Sequence, residues 1–124
     1  MFRDCLPNLY CTDLDAALGF YRDLLGFTET FRYPREGMPQ HVELRLGPTT
    51  IAVSSTEAVV GYGLPPATRG EPFELAVRAD DVDAAVERLR AAGVRVLREP
   101  WDASNGQRVA YVTDPEGNRV HLYA

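Results

Sequence analysis

The sequence predicts an α+β chain built from two βαβββ modules, with eight strands and two main helices in all. Three observations carry that prediction. The stretch Asp13-Leu14-Asp15-Ala16-Ala17 returns about 68 residues downstream as Asp81-Val82-Asp83-Ala84-Ala85. Each copy is closed by a glycine, Gly26 or Gly93, and then followed by runs in which apolar and polar residues alternate. The correspondence also continues past the helices, with small drifts in offset. Arg32 falls on Arg98, Pro34 on Pro100, Gln40 on Gln107, Val42 on Val109, and Ile51-Ala52-Val53 on Val120-His121-Leu122. A repeat of roughly 55 residues is the mark of a duplicated structural unit.

The first module opens on an extended segment that carries Cys5 and Cys11. At strand rise these stand roughly 20 Å apart, beyond disulfide reach, so both are expected as reduced thiols. Asp13 is expected as the N-cap of the first helix, because its short carboxylate can accept from the free N–H groups of the first turn and its charge suits that end. Leu14, Ala17, Leu18, Tyr21 and Leu25 then form one apolar stripe at helical spacing, and core packing accounts for at least one of Phe20 and Tyr21. Gly26 sits where a left-handed residue would close the helix. Three strands follow. In the one at His41, Val42, Leu44 and Leu46 oppose His41, Glu43 and Arg45, and the turn Gly47-Pro48 leads into the strand of Ile51-Ala52-Val53.

A stretch richer in Gly and Pro, about 56–71, reads as a linker. The second module repeats the plan. Its first strand sets Phe73, Leu75, Val77 and Ala79 against Glu74, Ala76 and Arg78. Asp81 caps a helix whose stripe is Val82, Ala85, Val86 and Leu89, and Gly93 closes it. Trp101 is expected in the loop before the strand at Gln107. The turn Asp114-Pro115-Glu116-Gly117 leads into a last strand in which Val120 and Leu122 oppose Arg119, His121 and Tyr123. The expected organisation is a single domain over 1–124, with module one at about 1–55 and module two at about 72–124. A chain of 124 residues that is 45% apolar can build one core but not two independent ones.

Charge and composition exclude several classes. Thirteen Lys and Arg against 18 Asp and Glu give a net charge of −5 with no basic run, which argues against nucleic acid and anionic membranes as partners. No apolar run has the length of a membrane span and the N-terminus has no secretory core, so a cytoplasmic location is expected. The chain contains no C-x-x-C, H-E-x-x-H or G-x-S-x-G pattern. Gly61-Tyr62-Gly63 lacks the lysine and helix start of a phosphate loop and reads as a turn. Ser54 and Ser55 have no base beside them in sequence.

The apolar face of each sheet must cover its helix, which leaves a polar face. Two curved sheets of this kind are expected to bound a shared cavity receiving Asn8, Tyr10, Glu74, Arg78, His121 and Tyr123. Aromatic side chains at Tyr10, Trp101 and Tyr123 suit stacking on a planar ligand, and the negative chain suits a cationic one.

The stretches PNLYCTDLDAALGFYRDLLGF and ADDVDAAVERLRAAGVRVLREPWD, together with GQRVAYVTDPEGNRVHLY, resemble the vicinal oxygen chelate superfamily. Glyoxalase I, extradiol dioxygenases, fosfomycin-resistance thiol transferases and bleomycin-resistance proteins belong to it. The resemblance implies paired βαβββ modules, and the PNL…FYRDLLGF match is most similar to the bleomycin-resistance branch. In metal-dependent members, four sheet positions supply His, Glu or Gln ligands. On this chain those positions are Leu6, Ala52, Glu74 and His121. Two of the four have no lone pair to offer, so the resemblance implies no cofactor, with a divalent metal held by Glu74, His121 and His41 as the alternative. The expected function is capture of an aromatic or cationic natural product, as in antibiotic resistance, by a homodimer. The alternative is a lyase, isomerase or dioxygenase using Glu74 and His121. The expected ligand-binding residues are Asn8, Tyr10, His41, Glu74, Arg78, Trp101, His121 and Tyr123.

Overall fold

The structure, a computed structural model, describes residue 1 and residues 3–68, 70 and 73–124. The predicted end of the linker at 71 and start of the second module at 72 lie outside the described residues. The chain divides into two compact units, Met1–Thr68 and Arg69–Ala124.

In the first unit, β1 (Asn8–Cys11) leads into α1 (Leu14–Leu18), which continues as a π-helical turn over Gly19–Leu24. Asp13 is the cap, its Oδ1 accepting from the Ala16 N–H at 3.0 Å. The helix widens where the Leu25 N–H reaches the Phe20 carbonyl at 2.9 Å, five residues back. Phe20 and Tyr21 are both buried and meet edge to face at 4.9 Å. Gly26, at φ +83°, ends the segment in the left-handed region. The strands β2 (Thr28–Tyr33), β3 (His41–Leu46) and β4 (Thr49–Ser55) complete a sheet of order β1-β4-β3-β2, with β1 parallel to β4 and the other pairs antiparallel. One face is apolar. Leu9, Val42, Leu44, Ile51 and Val53 are all buried, as the alternation requires.

A further helix, α2 (Thr56–Gly61), follows β4 directly. The stretch expected as a linker thus begins as a short helix, in addition to the two main helices of the modules. Its residues Thr56-Glu57-Ala58-Val59-Val60 contain no Gly or Pro, and the composition that suggested a linker starts only at Gly61.

The second unit repeats the order with β5 (Leu75–Arg78), α3 (Val82–Ala91), β6 (Val96–Asp102), β7 (Arg108–Thr113) and β8 (Arg119–Tyr123) in a sheet β5-β8-β7-β6. Asp81 caps α3 by accepting from the Ala84 N–H at 3.0 Å. Val82, Val86 and Leu89 bury the helix stripe, and Val112, Val120 and Leu122 bury the facing side of the sheet. The first strand begins at Leu75 rather than at Phe73, which is 58% exposed. Trp101 is corrected from loop to strand, paired with Val109 in β6. Two register shifts, between Val96 and Arg98 and between Arg98 and Trp101, let that strand run on through Pro100, which cannot donate to a ladder.

Duplication is visible in strand register as well as in sequence, although the register sets Val109 in the place of His41 rather than of Val42. Ala52 stands opposite both Asn8 and Glu43, as His121 stands opposite Ala76 and Tyr111.

Candidate functional site

The polar face of the first sheet is built in rows by its register. One row runs Tyr10, Ser54, His41, Tyr33 across the four strands, and the neighbouring row runs Asn8, Ala52, Glu43, Phe31. Ser54 is only 5% exposed, and its hydroxyl is held on both sides. It donates to Asn8 Oδ1 at 2.8 Å, and its oxygen lies 2.8 Å from His41 Nδ1. The other ring nitrogen, Nε2, stands 3.9 Å from Glu43 Oε1. Phe31 meets the imidazole edge-on at 6.1 Å.

Asn8, Ser54 and His41 belong to a pocket of about 270 Å³ whose lining also includes Tyr10, Tyr33, Gln40, Val59, Tyr62 and Leu64. Among the described residues no Asp, Glu, Lys or Arg lines it. Of the sequence-predicted residues, Asn8, Tyr10 and His41 therefore meet in one pocket. Sequence reasoning passed over Tyr33, Ser54, Tyr62 and Leu64. A signal for Ser54 existed, because a hairpin turning at Gly47-Pro48 sets His41 opposite Ser54 by simple counting.

The second unit gathers Glu74, Arg78, Trp101, His121 and Tyr123. Its polar face carries a ladder of rings, with Trp101 on Tyr111 at 5.9 Å and Tyr111 on His121 at 4.8 Å, nearly parallel in both cases. His121 and Tyr123 lie 5.7 Å apart at a tilt. The Arg98 guanidinium carbon sits 3.5 Å from the Trp101 ring centroid. Sequence reasoning missed Tyr111 and Arg98; Tyr111 stands opposite His121 because the loop between β7 and β8 takes in Asn118 as well as Asp114-Gly117. Glu74 Oε1 stands 3.8 Å from His121 Nδ1, within ion-pair range but beyond hydrogen-bond length. Arg78 is exposed in β5.

The donor set does not fit a catalytic divalent metal. Such a site takes about three protein ligands. Ala52 is fully buried and brings only a methyl group, Leu6 brings only hydrocarbon, and Glu74 and His121 alone of the four positions can ligate. Among the described residues no group of three or more His, Cys, Asp or Glu could hold a metal ion. His41, the third residue of the metal alternative, meets Ser54 through Nδ1 at 2.8 Å. Cys5 is exposed, and Cys11 is buried with its thiol donating to the Leu9 carbonyl at 3.6 Å. Among the described residues no helix is long and apolar enough to cross a membrane.

A family model described as "Glyoxalase/Bleomycin resistance protein/Dioxygenase superfamily" matches residues 6–122. A lactoylglutathione lyase of Arabidopsis thaliana is 33% identical over 114 residues, which cover 89% of this chain and 40% of that protein. A lactoylglutathione lyase of Haemophilus influenzae is 29% identical over 113 residues, covering 89% of this chain and 83% of that protein. The chain spans about half the length, 46%, of the mycobacterial relatives it matches. Among solved structures, a glyoxalase/bleomycin resistance protein/dioxygenase family enzyme from Burkholderia phytofirmans superposes with a TM-score of 0.79 at 26% identity. That match covers 94% of this chain and 93% of the other.

Proposed function

From the premise that this chain belongs to the glyoxalase/bleomycin resistance protein/dioxygenase superfamily, we propose that it is a small-molecule-binding protein that sequesters an aromatic or cationic natural product without a metal. The observation that supports this reading is the pocket of the first unit, with aromatic and aliphatic walls and a few convergent polar groups on its floor. That composition is typical of a small-molecule site. The ring ladder of the second unit, with Glu74 at its edge, supplies aromatic and anionic surface for a planar cation. In this reading the chain works as one domain of two modules and as a homodimer, in the cytoplasm. The role is like that of the antibiotic-binding branch.

A second reading is a metal-dependent lyase, isomerase or dioxygenase in which Glu74 and His121 serve. It is favoured by the name lactoylglutathione lyase carried by relatives from Haemophilus and Arabidopsis. The two donors present fall short of a catalytic set, so no step is derived through a metal.

One experiment separates the readings. Protein purified without chelator is assayed for bound metals, then screened by thermal shift against glycopeptide, enediyne-like and aromatic polyketide compounds. Sequestration expects substoichiometric metal and a raised melting temperature, because a ligand that binds only the folded state stabilises it by mass action. About one metal per chain, lost in both Glu74→Ala and His121→Ala, with turnover of the methylglyoxal–glutathione adduct, would establish the lyase instead.

A further inference from the structure

The floor of the first unit's pocket is directional, and this says which ligands it can hold. We propose that Asn8 and Ser54 hold His41 in its Nδ1–H tautomer, so that Nε2 is presented as a hydrogen-bond acceptor for the hydroxyl or N–H of an uncharged aromatic ligand. The inference rests on the small-molecule-binding reading above and narrows its substrate class.

The direction follows from counting protons. Asn8 Oδ1 carries none, so the single hydroxyl proton of Ser54 lies on the bond between them. The Ser54 oxygen can then only accept from its other neighbour. At 2.8 Å that neighbour is His41 Nδ1, which must carry the proton. A neutral imidazole protonated on Nδ1 has a bare lone pair on Nε2. Glu43 does not engage that lone pair, being a carboxylate with no proton to give and standing at 3.9 Å.

The walls supply the rest of the specificity. Tyr10, Tyr33, Val59, Tyr62 and Leu64 cover a ring system, and a volume of about 270 Å³ admits one or two fused rings. With no charged residue among the described residues of the lining, a carboxylate or phosphate group would lose water without gaining a counter-charge. The relay is also absent from the second module. There Val109 and Tyr123 stand opposite one another in the positions that His41 and Ser54 occupy in the first. Tyr123 meets His121 rather than a partner of this kind. Duplication of the sheet alone therefore did not require these three side chains.

The test uses 2-naphthol, its methyl ether 2-methoxynaphthalene and the anion 2-naphthoate as probes on the full chain. Long-range 15N–1H spectra of the imidazoles give the tautomer, with His121→Gln assigning the two histidines. We expect His41 as Nδ1–H, and 2-naphthol bound about tenfold or more tighter than either its ether or 2-naphthoate. Ser54→Ala should bring alcohol and ether to within about twofold and move His41 toward the Nε2–H form. Because Ser54 is buried, Asn8→Ala on the exposed edge strand serves as the second variant, with the same expectation. Equal binding of alcohol and ether to the wild type overturns the relay while leaving the pocket reading intact. A His41 imidazolium, protonated on both nitrogens and paired with Glu43, also overturns it. If none of the three probes binds, the relay and the pocket reading fall together.

Discussion

The guanidinium carbon of Arg98 lies 3.5 Å from the centroid of the Trp101 ring, and the same indole stacks with Tyr111. A cation over an aromatic face at a partly exposed site contributes about 0.5–1 kcal/mol. Arg98→Ala is expected to lower stability by that order and to shift Trp101 emission to the red as water replaces the guanidinium. Trp101 is the only tryptophan, so the emission has one source. Unchanged emission and melting temperature would show that the contact is not populated in solution.

Asp114 is the polar anchor of the turn between β7 and β8 and is 4% exposed. Its Oδ1 accepts from the Glu116 and Asn118 backbone N–H groups at 3.0 and 2.7 Å, and its Oδ2 from the Asn118 side chain at 2.8 Å. Asp114→Ala leaves part-buried donors without their acceptor and is expected to cost about 1–2 kcal/mol, read as a fall in denaturant midpoint. Asp114→Asn retains one acceptor oxygen and should lose less. Equal loss in both variants would mean that the charge, rather than the hydrogen bonds, matters.

Glu29 is clamped by Arg32 at 2.6 Å and by Arg22 at 3.2 Å. The Arg32 hydrogen bond is the larger cause that holds its carboxyl below the usual range, against the opposing effect of burial. A group whose folded pKa is depressed contributes stability that is present above its unfolded pKa and is lost as pH falls through the folded value. Glu29→Gln should therefore be less stable than wild type at neutral pH, and the gap should close as pH falls through and below the usual carboxylate range. Urea melts across that window provide the measurement. A gap that stays constant would place the effect in packing instead of ionisation.

The proposed homodimer predicts a light-scattering mass twice the 13.8 kDa of the chain at tens of micromolar. A monomer mass that does not change with concentration would rule the dimer out.

The features legible in the sequence are those governed by neighbours along the chain. Asp13 and Asp81 each reach an N–H three residues on, and Gly26 and Gly93 each close a helix at positive φ, because caps depend on local backbone geometry. Alternation told which side of β3 and β8 is buried, since side chains on a strand can only point two ways. The repeat then carried the βαβββ plan from one half of the chain to the other. Trp101 was misplaced for the opposite reason. A strand that bulges twice and carries Pro100 has no clean alternation to read, and it is the pairing with β7 that keeps it extended. The helical start of the supposed linker escaped because Gly and Pro beyond it dominated the composition of the window.

The floor of the pocket was decided only by tertiary structure. His41 and Ser54 are joined by a tight hairpin, so their pairing could have been counted from the turn. Asn8 is 46 residues from Ser54 in sequence, and it arrives beside Ser54 only because β1 pairs in parallel with β4 in one particular register. A parallel pair is joined through a crossover rather than a turn, so nothing local sets that register. It is set by which face of β1 can bury Leu9 and Cys11, a choice made by the whole core at once.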